Sequence, residues 1–152
     1  RMGTIFYVIK YISMEKFYFF ALFLVYLISP TFGFAKSVTF DDLVVREGRY
    51  YKIFSNNPFT GRVVGGLNGE IKNGKWEGVW MHFYNNGPLG SKTYYKNGKK
   101  DGPFETYHEN GQLLSRGTYA NGVLNGIMEI YNVQGQLKLQ KFFKQGVEIG
   151  KE

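Results

Sequence analysis

Two histidines, His82 and His108, are the first residues to test for chemistry. Imidazoles bind zinc when close, fixed spacings bring further ligands beside them. These two stand far apart in the chain, and no carboxylate accompanies both at a ligand-like spacing, so no metal site is expected. The carboxylates come in pairs, Glu77 with Asp101 and Glu105 with Glu129. Two acids flanking one bond can serve as general acid and base. Both pairs share a single interval, which Ser91 and Ser115 share too, and repetition alone creates such pairs. Lys75, Lys99 and Lys100 stand close enough in sequence to balance the acids, and no base is positioned beside either serine. The glycine phrase "NGKKDG" at 97–102 is followed by a strand-like run, whereas a phosphate loop leads into a helix N-terminus. No catalytic residue and no cofactor is expected, and the chain reads as a non-enzyme.

The elements that carry these residues are repeats. "NGKKDG" has relatives in "NGKWEG" at 73–78, "NGVLNG" at 121–126 and "QGVEIG" at 145–150. One constant offset aligns Gly74, Gly98, Gly122 and Gly146. It also aligns Gly78 with Gly102, Gly126 and Gly150, and Leu89 with Leu113 and Leu137. Phe83, Tyr107 and Tyr131 coincide, as do Tyr95, Tyr119 and Phe143. A second glycine series, Gly87, Gly111 and Gly135, sits in "NNGP", "ENGQ" and "VQGQ" between short apolar runs. Asn-Gly in such a setting signals a type I′ hairpin, which needs φ > 0 at both central residues. Each unit is therefore expected to hold two strands and two turns. The strands are placed at 78–84, 89–95, 102–108, 113–119, 126–131 and 137–143, with the second glycine of each phrase opening a strand.

Side chains alternate across a strand. Phe83, Tyr107 and Tyr131 thus share one face, and Trp80, Phe104 and Met128 the other. Equivalent residues two strands apart recur about every 9.6 Å, so aromatic columns can stack along the sheet. A lone hairpin is marginal in water, so units must join edge to edge. A sheet without a second layer is expected to wet both faces. Residues 61–73 read as a shortened hairpin, with strands at 62–65 and 70–72. Residues 36–60 read as a cap with strands at 43–46 and 50–54. Full repeats follow at 74–97, 98–121 and 122–145, with a partial one at 146–152.

The rest of the chain agrees. Its 152 residues allow one domain plus a targeting segment, and the charge of +7 is spread along the chain with no run longer than Lys99-Lys100. It has no cysteine, which excludes disulfides and thiolate metal sites. Twenty glycines, 12 tyrosines and 14 phenylalanines fit short strands and tight turns. Residues 1–35 differ: Lys16, an apolar run from Phe17 to Ile28, then Pro30 and Gly33-Phe34-Ala35 follow the order of a secretory signal peptide, with cleavage expected after Ala35. Met14 is one candidate for the true start; the rival reading is an uncleaved anchor built from both apolar runs. The protein is accordingly expected in the periplasm, the cell envelope or outside.

Gly102, Phe104, Tyr107, Asn110-Gly111, Leu113, Tyr119 and Asn121-Gly122 resemble the unit of the MORN repeat family, in its bacterial variant form. The resemblance covers about residues 43–150, and the third unit departs from it at Met128 and at Val133-Gln134-Gly135. It implies an all-β fold, an elongated single-layer antiparallel sheet of stacked hairpins, and a non-enzymatic protein-interaction module. It also implies two alternatives: an antitoxin or immunity protein that neutralises a toxin, and a module that binds anionic membrane surfaces. The partner expected is a protein, with envelope lipid or glycan next; nucleic acid is disfavoured for an exported chain. The candidate binding positions are Phe83, Tyr107 and Tyr131 on one face, and Trp80, Phe104 and His108 on the other.

Overall fold

A computed structural model describes residues 37–150. The export signal expected at residues 1–35 lies outside the described residues. No helix among those described is long and apolar enough to cross a membrane, which leaves open a crossing by strands.

The described chain is all-β. A 3-10 turn at Phe40–Asp42 precedes the hairpin β1 (Leu43–Arg46) and β2 (Arg49–Lys52), a two-stranded sheet of its own. The main sheet begins with β3 (Gly61–Val63), β4 (Leu67–Lys72), β5 (Lys75–Phe83), β6 (Leu89–Lys96), β7 (Lys99–Tyr107) and β8 (Leu113–Ala120). It continues with β9 (Val123–Leu124), β10 (Gly126–Tyr131), β11 (Leu137–Lys144) and β12 (Val147–Gly150). Strands lie in sequence order, each antiparallel to the next, except that β9 and β10 both pair with β8. The sheet does not close into a barrel, and its strands are consecutive hairpins.

The two glycine series make different turns. Asn73-Gly74, Asn97-Gly98, Asn121-Gly122 and Gln145-Gly146 have positive φ at both residues, as type I′ geometry requires. Glu47-Gly48 does the same in the cap, without an asparagine to announce it. The other series was expected to match, and does not. Only Gly87, Gly111 and Gly135 are left-handed there. Gly87 N–H donates to Tyr84 O at 2.9 Å and Tyr84 N–H to Pro88 O at 2.9 Å, a three-residue loop closed by a left-handed glycine. His108 with Gln112 and Asn132 with Gln136 close the equivalent loops.

The strands after the Asn-Gly turns begin earlier than expected, at Lys75 and Lys99, because a two-residue turn returns the chain to the ladder at once. The second glycines, Gly78 and Gly102, do not open strands. They sit inside them at φ 68° and 119°, where the pairing register shifts. At Gly126 the same irregularity splits the strand into β9 and β10. The second cap strand stops at Lys52 instead of Phe54, because Ser55 N–H turns back onto Lys52 O and Phe54 takes a φ of 64°. The shortened hairpin stands where expected, but its first strand ends at Val63 and its second starts at Leu67, because β4 keeps pairing with β5 out to Leu67 and His82.

Hydrogen bonds fix the 24-residue period. Gly98 N–H donates to Trp76 O at 2.8 Å, Gly122 N–H to Lys100 O at 2.7 Å, and Gly146 N–H to Leu124 O at 2.8 Å. Each turn is thereby pinned on the strand that opens the previous unit. Side chains repeat the link at the opposite end, where Tyr84 Oη donates to Tyr107 O at 2.6 Å and His108 Nε2 lies 3.2 Å from Tyr131 O. An inserted residue would break both rows of contacts at once.

The core lies on one face, at the N-terminal end of the sheet. Val38, Leu43, Phe59, Val63, Ile71 and Trp80 are buried together, with Phe40, Tyr50 and Trp76 packed against them. The expectation that the sheet wets both faces therefore fails at this end, where the cap covers Trp80. Trp80 is 2% and Phe104 7% exposed. The columns do not stack ring on ring either. Each ring leans on a glycine of a neighbouring strand. Trp80 lies over Gly69, and Phe104 over Gly117, its cross-strand partner. The third unit has Met128 opposite Lys141, so the missing ring and the missing glycine seat go together.

Candidate functional site

Adjacent side chains point to opposite faces, so Glu105 and Tyr107 share the face turned away from Phe104. The pairing sets Lys92, Glu105, Arg116, Glu129 and Gln140 side by side across β6, β7, β8, β10 and β11. Glu129 accepts a charge-assisted bond from Arg116 Nε, one from Tyr131 Oη at 2.9 Å, and one from Gln140 Nε2 at 3.2 Å. Tyr107 Oη donates to Glu105 Oε2 at 2.7 Å, repeating the Tyr131–Glu129 arrangement one unit earlier. The Arg116 hydrogen bond, then that of Tyr131, holds the Glu129 carboxyl below the usual carboxylate range. Desolvation, then the bond to Glu105, pushes the Tyr107 hydroxyl up to about 12.

These contacts account for acids that could have been read as catalytic. Glu105 and Glu129 orient tyrosines. Glu77 Oε2 accepts the Asn97 N–H at 2.8 Å and so braces the next turn. Ser115 is buried, with its hydroxyl 2.6 Å from Thr106 Oγ1 across β7 and β8. His82 sits against Gly90 and meets Tyr84 edge-on at 5.8 Å. Among the described residues, no three His, Cys, Asp or Glu are placed to hold a metal.

The six candidate binding residues thus separate by environment. Phe83, Tyr107 and Tyr131 form a half-buried column on the face turned away from the cap's ring contacts. Trp80 is buried in the core under the cap, and Phe104 is buried on the same face against Gly117 and Tyr119. His108 ties neighbouring units through Tyr131 O. Sequence reasoning missed Lys92, Arg116 and Gln140, which lie between the tyrosines. Their signal was the same repeat offset, 92 to 116 to 140, which the conspicuous aromatics overshadowed. Beside Arg116 an open cleft of about 350 Å³ is lined by Pro103, Glu105, Thr118, Ile127 and Glu129.

Among known proteins, a family model described as MORN repeat variant matches residues 100–121, which covers most of one unit, from β7 through the Asn121 turn. No curated protein gives a significant match. The crystal structure of TarM superposes with a TM-score of 0.34 at 13% identity, over 72% of this chain and 21% of that one. The chain thus spans about a fifth of that structure, and a likeness this low supports no statement about fold or function.

Proposed function

We propose that this chain is a non-enzymatic interaction module of the cell envelope or exterior, and that it grips a protein partner with the face bearing Phe83, Tyr107 and Tyr131. The observation that supports this best is the make-up of that face. Three half-buried aromatics recur at one period, and two of them are held by Glu105 and Glu129. Fixed aromatics lose little conformational freedom on binding, and aromatics with arginine are the residues enriched at interface hot spots. The match to a MORN repeat over residues 100–121 supports a repeat module rather than a catalyst. Export rests on the order of residues 16–35.

The test is to capture a partner from envelope extract with the full chain and then compare Tyr107→Ala with Phe104→Ala. Tyr107→Ala should weaken binding per folded molecule by roughly 2 kcal/mol or more. Phe104→Ala should lower stability and leave the affinity of the folded fraction unchanged. The reverse pattern would overturn the assignment of the face. A captured toxin would specify the module as an immunity protein. Retention on anionic vesicles with no protein partner would replace this reading with the membrane-surface one.

A further inference from the structure

Two further rows of side chains cross the strands on the face that bears Phe83, Tyr107 and Tyr131. Val79, Pro103 and Ile127 occupy one repeat position, and their cross-strand neighbours Tyr94, Thr118 and Phe142 occupy another. Together they make a mostly apolar floor, with Ile127 47% exposed. Two residues along each strand from the second set, about 6.8 Å away, stand Lys92, Arg116 and Gln140. Open clefts of about 70 Å³ and 350 Å³ border both rows, and Pro103 and Glu105 line each of them. The clefts thus adjoin as a groove that runs across the strands.

The hydrogen-bonding chemistry of this groove is one-sided. Its side-chain acceptors are engaged: Glu129 takes bonds from Arg116, Tyr131 and Gln140, and Glu105 takes one from Tyr107. Its donors have capacity left. Arg116 commits only its Nε, and Gln140 commits one N–H of its amide. Lys92 makes no ion pair among the described residues, its Nζ lying 5.6 Å from the centre of the Tyr94 ring. An occupant should therefore bring carbonyl oxygens and few N–H groups. Among peptides that is a proline-rich segment, since proline has no backbone N–H and polyproline II leaves its carbonyls without internal partners. Such segments dock in aromatic-lined grooves, and Tyr94 supplies one aromatic wall here.

The spacing selects the same occupant. Units recur about every 9.6 Å along the groove. Polyproline II has three residues per turn and rises about 3.1 Å per residue, hence about 9.3 Å per turn. Over two units it misses the repeat by about 0.6 Å. An α-helix needs two turns, about 10.8 Å, for each unit and misses by about 2.4 Å over the same span. A β-strand returns a side chain to one side about every 6.7 Å, and three residues on, at about 10 Å, its side chain faces away.

We infer that this groove binds a proline-rich segment of the protein partner in the polyproline II conformation. An apolar side chain at every third residue lies over Pro103 and then Ile127, and the segment's carbonyls face Lys92, Arg116 and Gln140. The inference rests on the protein-binding face proposed above and names the chemistry of what that face grips.

The test is fluorescence anisotropy of labelled peptides titrated with the full chain. The probes are a Leu-Pro-Pro repeat and a Leu-Pro-Pro-Pro repeat of equal length, the second spacing its leucines about 12.4 Å apart. The three-residue repeat should bind at least tenfold more tightly. Ile127→Asp, in the floor, and Thr118→Arg, at an exposed position beside it, should each weaken that binding at least tenfold. Lys141→Ala, opposite Met128 on the other face, should leave it unchanged. Equal binding of the two peptides, or no binding of either, would overturn the proline-rich occupant. In that event, a captured partner still weakened by Tyr107→Ala would leave the protein-binding face standing. Undiminished peptide binding by both the Ile127→Asp and Thr118→Arg variants would overturn the groove.

Discussion

Gly69→Ala should cost far more than a glycine-to-alanine change in a strand ordinarily does. The Trp80 indole occupies the space where a Gly69 side chain would project. A Cβ there would fall inside the van der Waals envelope of Trp80 Cδ2 and Cε2, and 2.6 Å from Cε3. Gly69 does not have a left-handed φ, so the backbone itself accepts alanine. Alanine at a compatible position gains about 0.4–1 kcal/mol by restricting the unfolded chain. Against this stands overpacking, about 1–3 kcal/mol, and the upper end applies because a stacked ring cannot swing aside. Displacing the indole altogether would forfeit roughly 150–250 Å² of burial, about 4–6 kcal/mol at ~25 cal/mol per Å². The net expectation is a loss of about 2–5 kcal/mol. Gly66→Ala is the control, since nothing lies within 4 Å of its would-be Cβ. It should be neutral or stabilise by up to about 1 kcal/mol. Urea titrations with circular dichroism detection give both values. In a Trp80→Leu background the penalty at Gly69 should largely vanish, a coupling that a double-mutant cycle measures. Equal midpoints for Gly69→Ala and Gly66→Ala would refute the claim that the ring is seated on the glycine.

Other expectations follow from the turns and the ionisable contacts. Gly98→Val should lose roughly 1–3 kcal/mol more than Lys99→Val in denaturation midpoints, because φ is 81° at Gly98 and a Cβ there would meet only ordinary contact with Lys75 at 3.6 Å. Tyr84→Phe removes the bond to Tyr107 O and should cost about 0.5–1.5 kcal/mol by the same assay. Tyr107 is held protonated by the fold, so its contribution is intact below the usual tyrosine value of about 10 and is lost as pH rises toward about 12. Tyr107→Phe should therefore flatten the alkaline limb of a stability-against-pH curve. Glu129 is depressed, so its contribution is present above the usual carboxylate value and fades as pH falls through its lowered one. Glu129→Gln should flatten the acid limb, and high salt should do the same in part, because the Arg116 side chain is 55% exposed.

The repeat made most of this fold legible, and its limits show where. Strand β10 falls at the residues expected, and β6, β8 and β11 within one residue, because a leucine opens each of these three and an aromatic, Tyr95, Tyr119 or Phe143, stands one residue before its end. The starts of β5 and β7 were misplaced, since sequence does not distinguish a glycine that begins a strand from one that bends it. The same ambiguity blurred the two turn series: Asn-Gly fits both, and only the number of loop residues separates them. The cap was legible as strands but not as a cover. Which face Phe40, Tyr50 and Phe59 settle on depends on contacts with Trp76 and Trp80, well beyond the reach of local patterning. For the candidate site, the aromatic columns were visible as a period, whereas the Glu105–Tyr107 and Arg116–Glu129 partnerships needed the register across strands.

The central functional claim is that the partner sits on the Tyr107 face and leaves the Phe104 face alone. The absence of native cysteine makes single-cysteine footprinting a direct test. Thr118→Cys, beside Pro103, reports on the first face, and Lys141→Cys, opposite Met128, reports on the second. The measurement is the rate of thiol alkylation with and without the captured partner. Binding should slow alkylation at position 118 at least tenfold and leave position 141 unchanged. Protection at 141 with none at 118 would contradict the account.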